Sequence, residues 1–354
     1  MSLPGAPILA RCRELGFALA GVCEAAPTAH EGALRDWLGA GKHGAMGWLA
    51  DNIDKRCDPA HALPGARSII LVADQYASRS DAPDDRTHGV GRVARYARGA
   101  DYHKTIKKRL HALADDLRER HPDSEFRAFV DTAPVLEREH ASRAGLGWIG
   151  KHTLLIHPKV GSYVLLGGVL TTLDLEPPAE QSPVPDHCGA CTRCIEACPT
   201  DAITPHSVDA TRCIAYLTIE HRERIHPQFH EPIGDWLFGC DICQEVCPHN
   251  TPRGAGAAVG EPHEAYAPRR SGFDLLEVLD WSEDDRRAAF TTSSMKRANL
   301  AMMRRNAVIC AANALRERDD AALRSRIRAI AADEAEDALV RATARNALAF
   351  LDQA

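Results

Sequence analysis

Apolar residues recur at helical spacing near the start of the chain, where Ile8, Leu9, Cys12 and Leu15 share one face and predict an amphipathic helix over residues 6–18. The run Ser68–Tyr76 (SIILVADQY) reads as a buried strand entered from the turn signal Leu63-Pro64-Gly65. A second helix is expected over His103–Arg120, with Ile106, Leu110, Leu113 and Leu117 on one stripe and basic residues opposite, stopped before Pro122. Strands are expected at Phe126–Val130, Thr153–His157 and Tyr163–Thr172. This mixture predicts an α+β domain over 1–175. Glu176–Asp186 (EPPAEQSPVPD) has the composition of a linker. It leads to a cysteine-rich unit, 176–252, then a Gly/Ala/Pro-rich loop at 251–268, and a helical Ala/Leu/Arg-rich segment over 270–354. In that last segment Asn313-Ala314-Leu315 recurs 33 residues on as Asn346-Ala347-Leu348. The pair resembles two HEAT-like repeats or, alternatively, two similar alanine-rich helices.

The length suits two or three domains. No stretch approaches the ~18–20 apolar residues of a membrane span, and Arg11, Arg13 and Glu14 interrupt what would be the apolar core of a signal peptide. A cytoplasmic protein is expected, and the lack of heptads suggests a monomer. Twelve cysteines in a reducing compartment point to metal, not disulfides. The net charge of −6 argues against a generally basic nucleic-acid binder. Charge is nevertheless uneven. Arg92–Arg109 is rich in Lys and Arg, and Lys296, Arg297, Arg304 and Arg305 form a second basic group. Each is a solvated face or a contact for an anionic partner.

Cys188, Cys191, Cys194 and Cys198-Pro199 have the spacing C-x2-C-x2-C-x3-C-P of a bacterial two-cluster ferredoxin, whose fourth cysteine reaches the other cluster. The partner half departs from it: Cys240, Cys243 and Cys247-Pro248 keep their spacing, and Cys213 is the cysteine left nearby for the missing position. One four-iron cluster is therefore assigned to Cys188, Cys191, Cys194 and Cys247, and the other to Cys198, Cys213, Cys240 and Cys243. Paired C-x2-C units also build zinc sites, but zinc does not require the two Cys-Pro junctions. Cys12, Cys23, Cys57 and Cys310 lie outside the pattern.

Residues 131–157 read DTAPVLEREHASRAGLGWIGKHTLLIH. Gly145, Gly147 and Gly150 permit close approach of backbone to a ligand, but they lack the strand-G-x-G-x-x-G context of a dinucleotide site. Asp131 ends an apolar strand, where its carboxyl either faces a cavity or caps the next helix.

Asp131–Arg138 (DTAPVLER), Ala144–Ile156 (AGLGWIGKHTLLI), Gly161–Leu166 (GSYVLL), CGACTRCIEACPTDAI and GCDICQEVCPHN together resemble the epoxyqueuosine reductase family. Arg56 and Pro59, Leu63–Ile69, Tyr96–His103 and Arg212–Leu217 extend the resemblance over essentially the whole chain. It implies a cobalamin in the N-terminal domain, two four-iron clusters beside it and a HEAT-like tail that helps hold tRNA. The implied reaction reduces the epoxide of epoxyqueuosine to the alkene of queuosine at the wobble position, the last step of queuosine synthesis on tRNA. A low-potential electron donor is needed.

By the resemblance Asp131 is the proton donor, a role that requires a pKa raised above the usual ~3.9, as burial against an apolar corrin would produce. The implied corrin pocket comprises Arg56, Ala94, Asp131, Arg138, Gly150, Thr153, Leu154, His157 and Val164. The family often has Asn where this chain has His152. No D-x-H-x-x-G motif is present to supply a lower cobalt ligand. A corrinoid enzyme of free small molecules, similar to the reductive dehalogenases, or a ferredoxin-type electron carrier would share some of these parts. The first would turn over without tRNA; the second would bind no corrinoid.

Overall fold

The computed structural model describes residues 2–79, 86–251 and 261–352. Four antiparallel strands build the main sheet, in the order Leu19–Glu24, Ser68–Gln75, Val164–Thr171, Phe126–Phe129. Ser68–Gln75 is buried throughout, as its unbroken apolar run requires. Its side chains alternate between two cores. Ile70 and Val72 meet the helix Ala6–Glu14, through Ile8, Leu9 and Cys12, and the helix Tyr102–Arg120, through Ile106, Leu110, Leu113 and Leu117. Ile69, Leu71 and Ala73 face Ala141 of the helix Glu137–Arg143, with Ala144 and Leu146.

Several expected elements are trimmed. The first helix ends at Glu14 because Gly16, at φ +83°, turns the chain back. Tyr102–Arg120 starts one residue early, capped by Asp101 accepting from His103 N. The expected strand Thr153–His157 shrinks to Leu155–Ile156, paired with Trp148–Ile149, because Thr153 takes φ +69° in a turn. The proline-rich linker is tied down: Gln181 donates to Val22 O and accepts from Val22 N. Part of the Gly/Ala/Pro-rich loop, 252–260, lies outside the described residues.

A second sheet joins the three segments of the chain. Val90–Val93 pairs parallel with Trp236–Phe238 and antiparallel with Gly272–Asp274. Its core continues into the tail, where the helices Leu300–Glu317, Ala321–Ala332 and Ala338–Leu351 pack Met302, Ile309, Ile327 and Val340 against one another and against Trp236 and Phe238. Among the described residues no helix is long and apolar enough to cross a membrane.

The second basic group is largely structural. Arg304 makes a two-pronged ion pair with Glu336. Arg305 is fully buried, and its guanidinium donates to the carbonyls of Leu217, His221 and Glu223. Burial lowers this guanidinium to about 9, and its place among carbonyls, not carboxylates, marks it as a strut between the tail and the helix Ile214–Ile219. Arg305→Ala strands those acceptors. It is expected to cost roughly 2–4 kcal/mol of stability, read as a lowered apparent Tm of the cluster-loaded protein.

Candidate functional site

Two one-turn helices, Arg193–Glu196 and Ile242–Glu245, place Cys194 and Cys243 side by side. Around them all eight cysteines of the ferredoxin-like pattern are free thiols. Cys188, Cys191, Cys194 and Cys247 line one small cavity, with Lys151, His152 and His249. Cys198, Cys213, Cys240 and Cys243 line a second, of about 360 Å³. Cys213 enters from the N-cap position of Ile214–Ile219, so its sulfur meets the free N–H groups of Ala215 and Tyr216.

Burial pushes the Cys240 and Cys243 thiols well up, and their cysteine neighbours push in the same direction. Four thiolates this close need a compensating positive charge, which iron supplies. Among the described residues no three His, Cys, Asp or Glu side chains converge on a point for a single ion. The sulfurs surround a volume instead.

The larger cavity reaches from these cysteines to the main sheet. Arg138, Thr153, Leu154 and Val164 of the expected corrin residues line it. Arg56, Ala94, Asp131, Gly150 and His157 stand outside that wall. Gly150 closes the turn that presents Thr153 and Leu154, through Gly150 N to Leu154 O and Thr153 N to Gly150 O. Ala94 packs under Gly239, which sits at φ +74° beside Cys240 with no room for a Cβ. His157 accepts from Lys159 N and Val160 N, and burial depresses it to about 4. Arg56 is half-buried near Glu137, and its Nε has no partner among the described residues.

Much of the lining was not read from the sequence. Tyr76, Tyr96, His152, Ser162, Asp241 and Gln244 all face the cavity. Ser162 and Gln244 belong to a buried network. Ser162 Oγ donates to Gln244 Oε1 at 2.9 Å, and Asn250 Nδ2 donates to Ser162 Oγ at 2.8 Å and to Gln244 O at 2.9 Å. Gly161, at φ +83°, leaves room for the Asn250 side-chain oxygen Oδ1 where a Cβ would clash. Single polar residues in apolar runs carry no periodic signal, so no sequence pattern marks them.

Asp131 stands in the left-handed region at φ +45°, with its side chain 54% exposed. Its Oδ2 accepts from Tyr102 OH at 2.6 Å and lies 3.0 Å from His103 Nε2. The other ring nitrogen of His103 lies 2.9 Å from Asp101 Oδ1, forming an Asp–His–Asp chain. Enclosure raises the Asp131 pKa, but the bonds from His103 and Tyr102 and the charges of His103 and Arg138 outweigh it, holding the carboxyl below its usual range. Desolvation lifts neighbouring Glu137 to about 8, with Asp131's charge adding, although Glu137 accepts from Asp131 N. His103 is raised: enclosure lowers it, but its bonds to Asp131 and Asp101 prevail.

Two predictions follow from this geometry. Cys213→Ser is expected to leave the cluster of the smaller cavity in place while bound iron falls by about half, measured by iron analysis and electron paramagnetic resonance. For the His103–Asp131 pair the signs oppose. A raised histidine stabilises the fold below its ordinary ~6.5 and loses that contribution as pH rises through its folded value; a depressed aspartate contributes above ~3.9 and loses it as pH falls through its own. His103→Gln should thus lower the Tm most near pH ~5. The deficit should shrink as pH rises through the folded histidine value.

Known proteins share this arrangement. Residues 56–132 match the family described as "Epoxyqueuosine reductase QueG, DUF1730", and residues 187–250 match a "4Fe-4S double cluster binding domain". The chain is 47% identical over 242 residues to the epoxyqueuosine reductase of Xanthomonas campestris pv. campestris, covering 67% of each chain. It is 39% identical over 314 residues to that of Pseudomonas aeruginosa, covering 85% of this chain and 83% of the relative. It resembles a crystal structure of epoxyqueuosine reductase with an epoxyqueuosine-modified tRNA-Tyr stem loop, at TM-score 0.83 and 29% identity over 98% of this chain and 89% of the other. A Bacillus subtilis structure, whose catalytic aspartate loop is swung out of the active site, aligns at TM-score 0.86 and 27% identity over 98% and 90%. The chain belongs to the epoxyqueuosine reductase family, oxidoreductases of tRNA queuosine modification, and carries that family's double four-iron cluster unit.

Proposed function

We propose that the protein reduces the epoxide of epoxyqueuosine to the alkene of queuosine at the wobble position of tRNA, using a cobalamin fed by its two four-iron clusters. The observation that carries this reading is the shared wall of the larger cavity, in which Cys198, Cys213, Cys240 and Cys243 face Arg138, Thr153, Leu154 and Val164. A corrin is a flat ring with apolar faces and an amide rim. Leu154, Leu155, Val164 and Leu165 offer such a ring apolar contact, and Arg138 and the Thr153–Leu154 backbone offer polar contacts to its edge. When bound, the cobalamin supplies a low-potential, strongly nucleophilic metal for opening the epoxide. In this reading the cluster of Cys198, Cys213, Cys240 and Cys243 is the near one, and that of Cys188, Cys191, Cys194 and Cys247 is where electrons enter. Segment 1–175 is the cobalamin-binding domain, 176–252 the ferredoxin-like domain, and 270–354 a HEAT-like tRNA-holding domain.

The reaction consumes two electrons and two protons, and the epoxide oxygen leaves as water. Asp131 is the proton donor. The Bacillus subtilis structure, in which a catalytic aspartate loop is swung out of the active site, supports a catalytic role for an aspartate in this family. Asp131 is ionised in the geometry described above, so it must take up a proton from its neighbours before it can donate one. His103 bridges Asp101 and Asp131, and Glu137, lifted to about 8, keeps a proton at neutral pH. Tyr96 and Arg138 connect this group to the cavity: both line it, and both feel the Asp131 charge.

For tRNA, the exposed Lys104, Lys107 and Lys108 follow His103 on one helix, and Lys296 and Arg297 stand exposed at the start of the tail. Trp48, 40% exposed, lies under the Arg297 guanidinium at 4.8 Å; that guanidinium is ion-paired with Glu220 and also feels the Asp131 charge. An aromatic ring and cations at the rim suit an unpaired anticodon-loop nucleotide.

The test is to reconstitute the clusters, add cobalamin and a low-potential reductant, and follow epoxyqueuosine in tRNA by mass spectrometry. Queuosine should appear with the unaltered protein. With Asp131→Asn turnover should vanish, while cobalamin and cluster absorbance remain. Unchanged nucleoside with both cofactors seen bound would sink the proposal, and near-normal turnover by Asp131→Asn would remove its proton donor.

A further inference from the structure

His152 occupies a place that the proposed reaction leaves unused. It is 3% exposed and lines both cysteine cavities, so its ring stands between the two sulfur sets. Nδ1 accepts a hydrogen bond from Leu154 N at 3.2 Å. A neutral imidazole that accepts at one nitrogen carries its proton on the other, so Nε2 is a donor. Burial, aided by the charges of Arg138 and His249, outweighs a hydrogen bond to the residue's own backbone, depresses the ring to about 4 and keeps it neutral. That Nε2 has no partner among the described residues and no contact with solvent. A buried donor left unpaired is destabilising, and the cavities on either side are lined by sulfur.

We propose that His152 donates its Nε2–H to a sulfur of one of the two iron–sulfur clusters and raises that cluster's reduction potential. The proposal rests on the two-cluster reading. A hydrogen bond to cluster sulfur stabilises the more negative, reduced state. His152 is thus a tuning residue that touches the cluster and not the substrate.

The experiment uses full-length protein reconstituted with iron and sulfide but no corrinoid, which removes corrin amides as competing acceptors. With 15N-histidine labelling, pulsed electron paramagnetic resonance of the reduced clusters should show a histidine nitrogen coupling that is lost in His152→Phe, while any coupling from His249, which lines the smaller cavity, stays. In a redox titration the same variant should lower the reduced-to-oxidised ratio of that cluster at fixed potential by about tenfold, the weight of one buried hydrogen bond. His152→Asn, which keeps an N–H donor, should restore much of it. Coupling on either cluster supports the proposal and tells which one receives the bond. Absence of coupling, with both potentials unchanged in His152→Phe, overturns it. If the unaltered protein assembles no clusters, the two-cluster reading fails, and this contact fails with it.

Discussion

The candidate site depends on a patch of buried polar chemistry between the main sheet and the second ferredoxin-like loop. Ser162 precedes the strand Val164–Thr171, while Gln244 and Asn250 flank Cys247. Their mutual hydrogen bonds, with Tyr76 OH accepting from Gln244 Nε2 at 3.2 Å, lock the cysteine loop onto the sheet. Each member left unpaired would cost about 1–3 kcal/mol, so the network forms as a unit or not at all. It depends in turn on Gly161, because a side chain there would displace Asn250. The larger cavity lies between the surfaces this network joins, so its width is set by hydrogen-bond geometry as well as by apolar packing.

Around that cavity, charge is sorted by burial. Of the basic residues that stand out in the sequence, Arg92 pairs with Asp235 and stacks on Trp236, Arg109 pairs with Asp74, and Arg304 and Arg305 brace the tail. The cations left at the surface are mainly lysines on the Tyr102–Arg120 helix and Lys296, beside Arg297, which is exposed but paired with Glu220. Sulfur lies on the inner side of the cavity and the acid–histidine chain on the outer. The proposed reaction would draw its electrons from the cysteine wall of the cavity and its protons from the acid–histidine chain next to Arg138.

Asp131 is held below the usual carboxylate range by hydrogen bonds that the local sequence does not announce. Its strand-end position is readable from FRAFV followed by Asp. The partners that hold it ionised come from the N-terminus of a helix some thirty residues earlier. Tyr102 and His103 are the first two residues of that helix, behind its cap Asp101, and their meeting with Asp131 follows from how that helix crosses the sheet.

The sequence by itself determined the two ferredoxin-like cysteine runs, the central apolar strand and the two amphipathic helices, because each is a local pattern: ligand spacing, a buried run, or a stripe at 3.6-residue period. Short elements such as Leu19–Glu24, Val90–Val93 and Trp236–Phe238 escaped notice because few residues carry their signal. Only the tertiary structure decided that Val90–Val93 would unite three distant segments, that Arg305 would be a buried strut, and that His152 would stand between two rings of sulfur. Those outcomes depend on burial and on partners far apart in the chain. A single sequence records the residues that meet but not their meeting.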